Sequence, residues 1–287
     1  MKYLFLNIVF MVLSIQDCTA IFTSKQVNIP IDNIDGMFLD RNDDNYVNGF
    51  AVDSLENFYF CCGKEEHYVS CFSSEGEKRF SQKLPFLSLG PMFLKHNYLY
   101  LYTICGKKSI LKQYSVKPSS ILLSKSIDII SKERINSILF RDSSFVFILL
   151  ETEEFDNRVH LKSKYQLFDF PCQYRQNVNN PYNLPQSIFK EEDLGLHQFI
   201  GIYKQYYVFY SVSDSKTCVL SIRNHQGKII ASKNLSMNYL GNMLNSSYSG
   251  NPEEHKQIRN GRLYILGNKE GNLIITIFPL EELFKEF

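Results

Sequence analysis

The feature that most constrains this chain is a unit of strand-like segments that returns in the same order along its length. An apolar segment precedes a turn; an aromatic strand, a hairpin, an alternating strand and a closing run follow. The first unit comprises 46–53, 57–62, 68–73 and 77–84, and the second 91–96, 98–104, 110–116 and 121–129. The third has 135–141, 145–151 and 161–170, with an end that blurs before Pro185. The fourth has 196–204, 206–213, 217–224 and 228–237, whereas the last offers only 261–267 and 272–279. The closing runs at 80–86, 123–129 and 231–237 share a pattern in which small polar and basic residues lead into apolar ones, and 23–31 repeats it. Helical periodicity is nearly missing, and composition agrees with that. Alanine, the best helix former, occurs only at 20, 51 and 231, against 23 Phe and 18 Tyr.

A unit of this size buries its faces only against its neighbours, so the repeats must stack. The last unit lacks a closing strand, and the chain begins with an orphan one at 23–31. A blade completed by a strand from the other end is how a propeller closes its ring. The predicted fold is therefore all-β, a small β-propeller of five four-stranded blades closed by the N-terminal strand. A sixth blade hidden in 237–260, a stretch that reads as an insertion loop, or a β-sandwich would also satisfy the strand spacing.

Asp53-Ser-Leu-Glu-Asn-Phe-Tyr-Phe followed by Tyr68-Val-Ser-Cys-Phe-Ser-Ser-Glu-Gly-Glu-Lys resembles a repeat of the NHL family of β-propellers, and 219–228 repeats its second half. The resemblance is specific over about half of one blade. It implies a propeller and carries over no functional residue.

Residues 1–20 have the three parts of an export signal: Lys2, an apolar run over 3–15, and small residues Cys18 and Ala20 placed for cleavage after Ala20. The run is too short to span a bilayer, which takes about 20 apolar residues. Lipidation at Cys18 is the competing reading, and Asp17 fits it poorly. The expected organisation is a signal peptide over 1–20 and one domain over 21–287, located outside the cell or in its envelope, with no membrane span.

With 31 basic and 30 acidic residues, the chain lacks the basic excess of a nucleic-acid surface. Cleavage leaves Cys61, Cys62, Cys71, Cys105, Cys172 and Cys218, an even set that permits disulfides in an exported chain. Cys61, Cys62, His67 and Cys71 also form a soft-ligand cluster. Adjacent strand residues face opposite ways, however, so Cys61 and Cys62 do not share a site, and zinc is disfavoured.

Asp40, Asn42, Asp44 and Asn48 form the candidate metal site, a calcium loop of alternating oxygen ligands. It resembles the calcium hairpins of integrin α-subunit propellers, with Asn45 in place of Gly and Asn48 in place of Asp. The competing reading is an ordinary Asn- and Asp-rich turn. Tyr98, Tyr100 and Tyr102 share one strand face, and the reading favours packing over ligand stacking. The acidic groups at 151–156, 191–193 and 253–254 read as loops. Asn234 and Asn245 head glycosylation triplets. No nucleophile motif, zinc-helix motif or phosphate loop occurs. The expected function is an exported, non-catalytic binder of a protein or glycan, with no cofactor unless calcium. The alternative is a carbohydrate-active or other hydrolase with carboxylates at the channel.

Overall fold

A computed structural model describes residues 24–37, 47–63, 65–88, 92–105, 108–129, 135–141, 144–155, 158–169, 173–178, 198–212, 217–241 and 255–284. These residues form five four-stranded antiparallel sheets. Sheet 1 holds β2 (Val47–Val52), β3 (Phe58–Cys62), β4 (Tyr68–Phe72) and β5 (Lys78–Lys83) in that order. Sheet 2 holds β6 (Phe93–Lys95), β7 (Tyr98–Cys105), β8 (Lys108–Lys117) and β9 (Ser120–Ile129). Sheet 3 holds β10 (Ile135–Arg141), β11 (Ser144–Phe155), β12 (Arg158–Asp169) and β13 (Gln173–Val178). Sheet 4 holds β14 (Gln198–Tyr203), β15 (Tyr206–Val212), β16 (Thr217–Arg223) and β17 (Ile229–Ser236). Sheet 5 joins β18 (Lys256–Arg259), β19 (Arg262–Lys269) and β20 (Asn272–Pro279) to β1 (Lys25–Pro30), which pairs antiparallel with β20 from Lys25↔Ile277 to Pro30↔Asn272. Two short helices, α1 (Met237–Leu240) and α2 (Leu280–Leu283), follow β17 and β20.

Two sequence expectations change. Lys256–Arg259 is a strand, not part of an insertion loop. Its single apolar residue, Ile258, gives it no periodic signal, and pairing to β19 makes it a strand. It belongs to the fifth sheet, so the stretch 237–260 supplies no separate one there among the described residues. Glu151, Glu153 and Glu154 lie on β11, not in a loop, with Lys162, His160 and Val159 as their register partners. The blurred end of the third unit is β13.

Several of the sheets share the same irregularities of register. In β2, β10 and β14 one residue is extra relative to the neighbouring strand: Asn48, Asn136 and Ile200. Each is followed by a small residue, Gly49, Ser137 or Gly201. The fourth strands β5, β9, β13 and β17 carry a second extra residue, Arg79, Ser124, Arg175 and Ile230. A bulge increases local twist. Its recurrence at equivalent places gives these sheets a common curvature.

Side-chain alternation explains the stacking. On β3, Phe58, Phe60 and Cys62 enter one apolar core, and Tyr59 and Cys61 enter another. The first core is shared with Tyr264, Leu266, Leu273, Ile275 and Ile277 of sheet 5. The second is shared with Leu99, Leu101, Tyr114 and Ile121 of sheet 2. A third core joins the far face of sheet 5, through Leu263, Ile265 and Phe278, to Val208, Tyr210, Leu220 and Ile222 of sheet 4. Sheets 4, 5, 1 and 2 thus pack face to face in that order. Both faces of β3 are buried, which is why it reads as a continuous aromatic run without polar alternation. Burying a Phe fully is worth about 1.5–3 kcal/mol, and Phe50, Phe58, Phe60 and Phe72 are all fully buried. The first strands also meet: β14 lies against β18, β18 against β2, and β2 against β6.

Candidate functional site

The polar residues of sheet 1 divide into those spent on turns, those that seam sheets together, and those at the turn ends of the first strands. The turns come first. Asp53 Oδ1 accepts from the backbone N–H groups of Leu55 and Asn57, both at 2.8 Å. Its Oδ2 accepts from Asn57 Nδ2 at 2.8 Å and from the Tyr59 hydroxyl at 3.1 Å. Ser73 and Asn224 do the same at other hairpins, each accepting from the N–H groups two and four residues on. The fourth residue of each turn is left-handed: Glu56 at φ 60°, Gly76 at 85° and Gly227 at 80°. Asp53, the residue that heads the NHL-like repeat, is therefore a turn-former whose oxygens are occupied. The left-handed turn residue comes free with Gly, and only Glu56 departs from it.

The seam between sheets 5 and 1 is made by alternate residues of β18 and its flanks. Gln257 Nε2 donates to the Phe50 carbonyl at 2.6 Å, and its Oε1 accepts from Val52 N–H at 3.1 Å. It thereby satisfies the free edge of β2. His255 is buried and its Nε2 donates to the Val47 carbonyl at 3.1 Å. Burial, opposed by that hydrogen bond and aided by the charge of Lys256, pushes its pKa down to about 4, so the ring is neutral at pH 7. Asn260 Nδ2 donates to the Ser54 carbonyl at 3.3 Å, and Arg262 pairs with Glu56. Lys256 is buried with its Nζ 4.2 Å from the centre of the Tyr210 ring, a cation–π contact into sheet 4.

At the turn ends of the first strands the side chains face outward. Asn260 and Gly261 make a two-residue left-handed turn at φ 49° and 71°, the geometry that matches strand twist. A Cβ at Gly261 would lie 3.6 Å from the Tyr203 ring, so the β14 turn sits beside the β18 turn. The Asn260–Ser54 bond sets the β2 turn on the other side. Ile202 is 55% exposed and Leu55 78% exposed at this end, and Lys204 is exposed beside them. Arg259, the last residue of β18, is half-buried.

Of the candidate calcium ligands, Asp40, Asn42 and Asp44 lie outside the described residues. Asn48 is the bulge residue of β2, buried, with Nδ2 donating to the Gly63 carbonyl at 3.1 Å. No group of three or more His, Cys, Asp or Glu suited to a metal occurs among the described residues. The soft-ligand cluster is dispersed as its strand positions require. Cys61 and Cys62 enter opposite cores, and His67 Nδ1 accepts from Ser88 N–H at 2.9 Å.

The disulfide expectation changes for the described cysteines. Cys61, Cys62, Cys71, Cys105 and Cys218 are free thiols, and all but Cys105 are buried. Register explains it. Cys61 and Cys71 share a core, but their cross-strand partners are Val69 and Tyr59, and Cys218 stands on another sheet. Burial pushes the Cys61 thiol up to about 12 and the Cys71 thiol up to about 11. Cys172 and Asn245 lie outside the described residues. Asn234 is exposed on β17. Tyr100 and Tyr102 are buried, Tyr100 stacked on Phe93 with ring centres 5.5 Å apart, whereas Tyr98 is 38% exposed.

Sequence reasoning missed Gln257 and His255. Neither sits in a motif, and their roles arise only when separate sheets meet. The one available signal was the absence of carboxylates from the first strands.

No protein-family model and no curated protein matches this chain. Solved structures similar to it include the PQQ-bound aldose sugar dehydrogenase of Streptomyces coelicolor, at 10% identity and TM-score 0.47, covering 89% of this chain and 98% of that one. BamB from Moraxella catarrhalis is similar at 13% identity and TM-score 0.35, covering 82% and 83%. The Dos1 propeller is similar at 12% identity and TM-score 0.32, and this chain spans 81% of its own length against 56% of that one. Likenesses of this strength assign no activity. What stands is an all-β chain of repeated four-stranded antiparallel sheets whose described polar side chains largely serve turns and seams.

Proposed function

We propose that this chain is an exported ring of five four-stranded blades, closed through β1, that binds a protein or glycan partner without acting chemically on it. In such a ring the first strands line the axis. The observation that carries the reading is their content. β2, β6, β10, β14 and β18 hold no Asp or Glu, and they hold four cations, Lys95, Arg141, Lys256 and Arg259. Glycoside hydrolysis runs on a pair of carboxylates flanking the bond, and first strands without any carboxylate do not supply that pair. The four face-to-face sheets and the contacts among their first strands support the ring. The NHL-like repeat supports it too, because Asp53 serves there as a turn-former and not as a reactive group. Export rests on residues 1–20.

The test uses the secreted product. Its intact mass is expected to start at Ile21. It is then assayed against a glycan array, a displayed-peptide library and a panel of chromogenic aryl glycosides. Saturable binding without turnover is the expected result. Turnover of a glycoside that travels with the purified protein and is lost on substituting one of its carboxylates would overturn the reading in favour of the hydrolase.

A further inference from the structure

We propose that Asn234 carries an N-linked glycan, and that this glycan guards the free edge of β17 against pairing with other chains. The proposal rests on the export reading above, because the modification belongs to secreted chains.

Asn234, Leu235 and Ser236 form an acceptor triplet whose middle residue is not Pro. The strand sorts these three residues as the modification requires. Leu235 is buried and enters the core shared by sheets 4 and 5. Asn234 and Ser236 flank it and so face the other way, and both are exposed. Among the described residues the Asn234 amide makes no hydrogen bond, and neither does the Ser236 hydroxyl. Other asparagines of the fold are occupied. Asn48, Asn57 and Asn260 give their side-chain N–H to Gly63, Asp53 and Ser54. A glycan on Asn234 Nδ2 therefore displaces no contact of that kind. In the transfer, Nδ2 bonds to the anomeric carbon of an oligosaccharide held on a lipid diphosphate. The bond from that carbon to the diphosphate oxygen breaks, the lipid diphosphate leaves, and the amide gives up one proton.

The position of Asn234 gives the glycan its task. β17 ends sheet 4, and among the described residues no strand pairs with its far edge. Such an edge offers unpaired backbone groups to other chains, and proteins guard it with charge, proline or cover. The strands β1, β5, β9, β13 and β17 end the five sheets opposite their first strands. β17 holds one charged residue, Lys233, in eight. β5 holds three in six, β9 two in ten, and β1 and β13 one in six each, with Pro30 closing β1. β17 also opens on Ile229, which is 53% exposed. The edge least protected by its own side chains is thus the one that bears the triplet, and a bulky, solubilising glycan supplies the cover.

The experiment secretes the chain, with residues 1–20 in place, from cultured eukaryotic cells. Peptides are mapped before and after peptide N-glycosidase, which leaves Asp where it removes a glycan. Conversion at position 234 is expected, lost in Ser236→Ala and kept in Ser236→Thr. Secreted chain with Asn234 bare overturns the proposal and leaves export intact, whereas a chain that stays inside the cells overturns both. For the guarding role, the glycosylated chain, Ser236→Ala and Asn234→Lys are held near the onset of melting and sedimented. Ser236→Ala is expected to give at least about twofold more associated material, and Asn234→Lys to match the glycosylated chain, because Lys is itself an edge guard. Both positions are exposed, and thermal melts verify folding. Wild-type chain made without glycosylation in bacteria gives the same comparison with no substitution. Equal association with and without the glycan overturns the guarding role.

Discussion

Gln257 offers the sharpest test of how the sheets are joined. Its amide bridges two backbone groups on the free edge of β2, the Phe50 carbonyl at 2.6 Å and the Val52 N–H at 3.1 Å. Phe50 and Val52 are buried to 0% and 2% exposure, so removing the amide leaves both groups poorly solvated. A hydrogen bond contributes about 1 kcal/mol net, and stranding a buried partner costs about 1–3 kcal/mol. Gln257 is itself half-buried, so water recovers part of the loss. Gln257→Ala is expected to cost about 2–3 kcal/mol. At about 2–4 °C per kcal/mol for a domain of this size, Tm falls by roughly 4–12 °C. Gln82→Ala, which removes a single bond to Ile121 N–H, should cost about half as much.

Gln257→Glu separates the two roles of the amide. A protonated Glu donates to Phe50 and accepts from Val52, as Gln does. A carboxylate keeps the second bond but faces the Phe50 carbonyl with negative charge. That raises the folded pKa above the unfolded value of about 4.3. The variant should match wild type below the unfolded pKa and lose stability as pH rises through the folded one. Urea titrations from pH 4 to 8, taken as differences from wild type at each pH, read this directly. A Gln257→Ala loss below about 0.5 kcal/mol, or a Glu variant whose deficit does not grow with pH, would refute the bridging role.

Gly49→Ala would set a Cβ 2.5 Å from Met92 Cβ and 2.8 Å from its backbone nitrogen. Destabilisation of about 2 kcal/mol or more is expected, without rescue by Met92→Ala, because backbone is among the clashing atoms; denaturant midpoints of the two variants check this. His255 has its pKa depressed to about 4 by burial, so the unfolded chain takes up its proton first as pH falls. Its share of stability should be lost between about pH 6.5 and pH 4, up to about 3 kcal/mol, and His255→Gln should flatten that part of the pH profile. In the native protein, a maleimide reagent should label Cys105 and leave Cys61, Cys62, Cys71 and Cys218 unlabelled until denaturant is added. Peptide mapping reads the outcome, and native labelling of Cys61 or Cys62 would contradict the packing of sheet 1.

The repeat was legible because each segment carries its own signal. Phe58 to Cys62 declares a strand by its aromatic content, and the opposite facing of Cys61 and Cys62 follows from the strand period alone. The run at 23–31 could be matched to the unfinished last unit by counting segments. β18 escaped notice because Lys-Gln-Ile-Arg is held by Gln257 and by pairing, neither of which leaves a mark on four residues read alone. The extra residues at Asn48, Asn136 and Ile200 were invisible for a similar reason. A bulge is a relation between two strands, and neither strand shows it separately. For the described cysteines the disulfide expectation is not met because of register, which cysteine counting does not see.

The pairing of β1 with β20 has a consequence for how the molecule comes into being. The two strands touch across 250 residues of chain, as between Gln26 and Thr276. Closing a flexible loop of that length costs about 5 kcal/mol in chain entropy, and no partner for β1 exists until β20 has been synthesised. β1, made before the other described strands, thus waits for β20, the last of them. Until then its Val27 and Ile29, destined for the core between sheets 5 and 1, stay in contact with water or with a holding protein. Slow, late completion of sheet 5 is the expected course of folding. A chain halted just short of β20 should remain open at this seam and be prone to join other chains through the waiting strand.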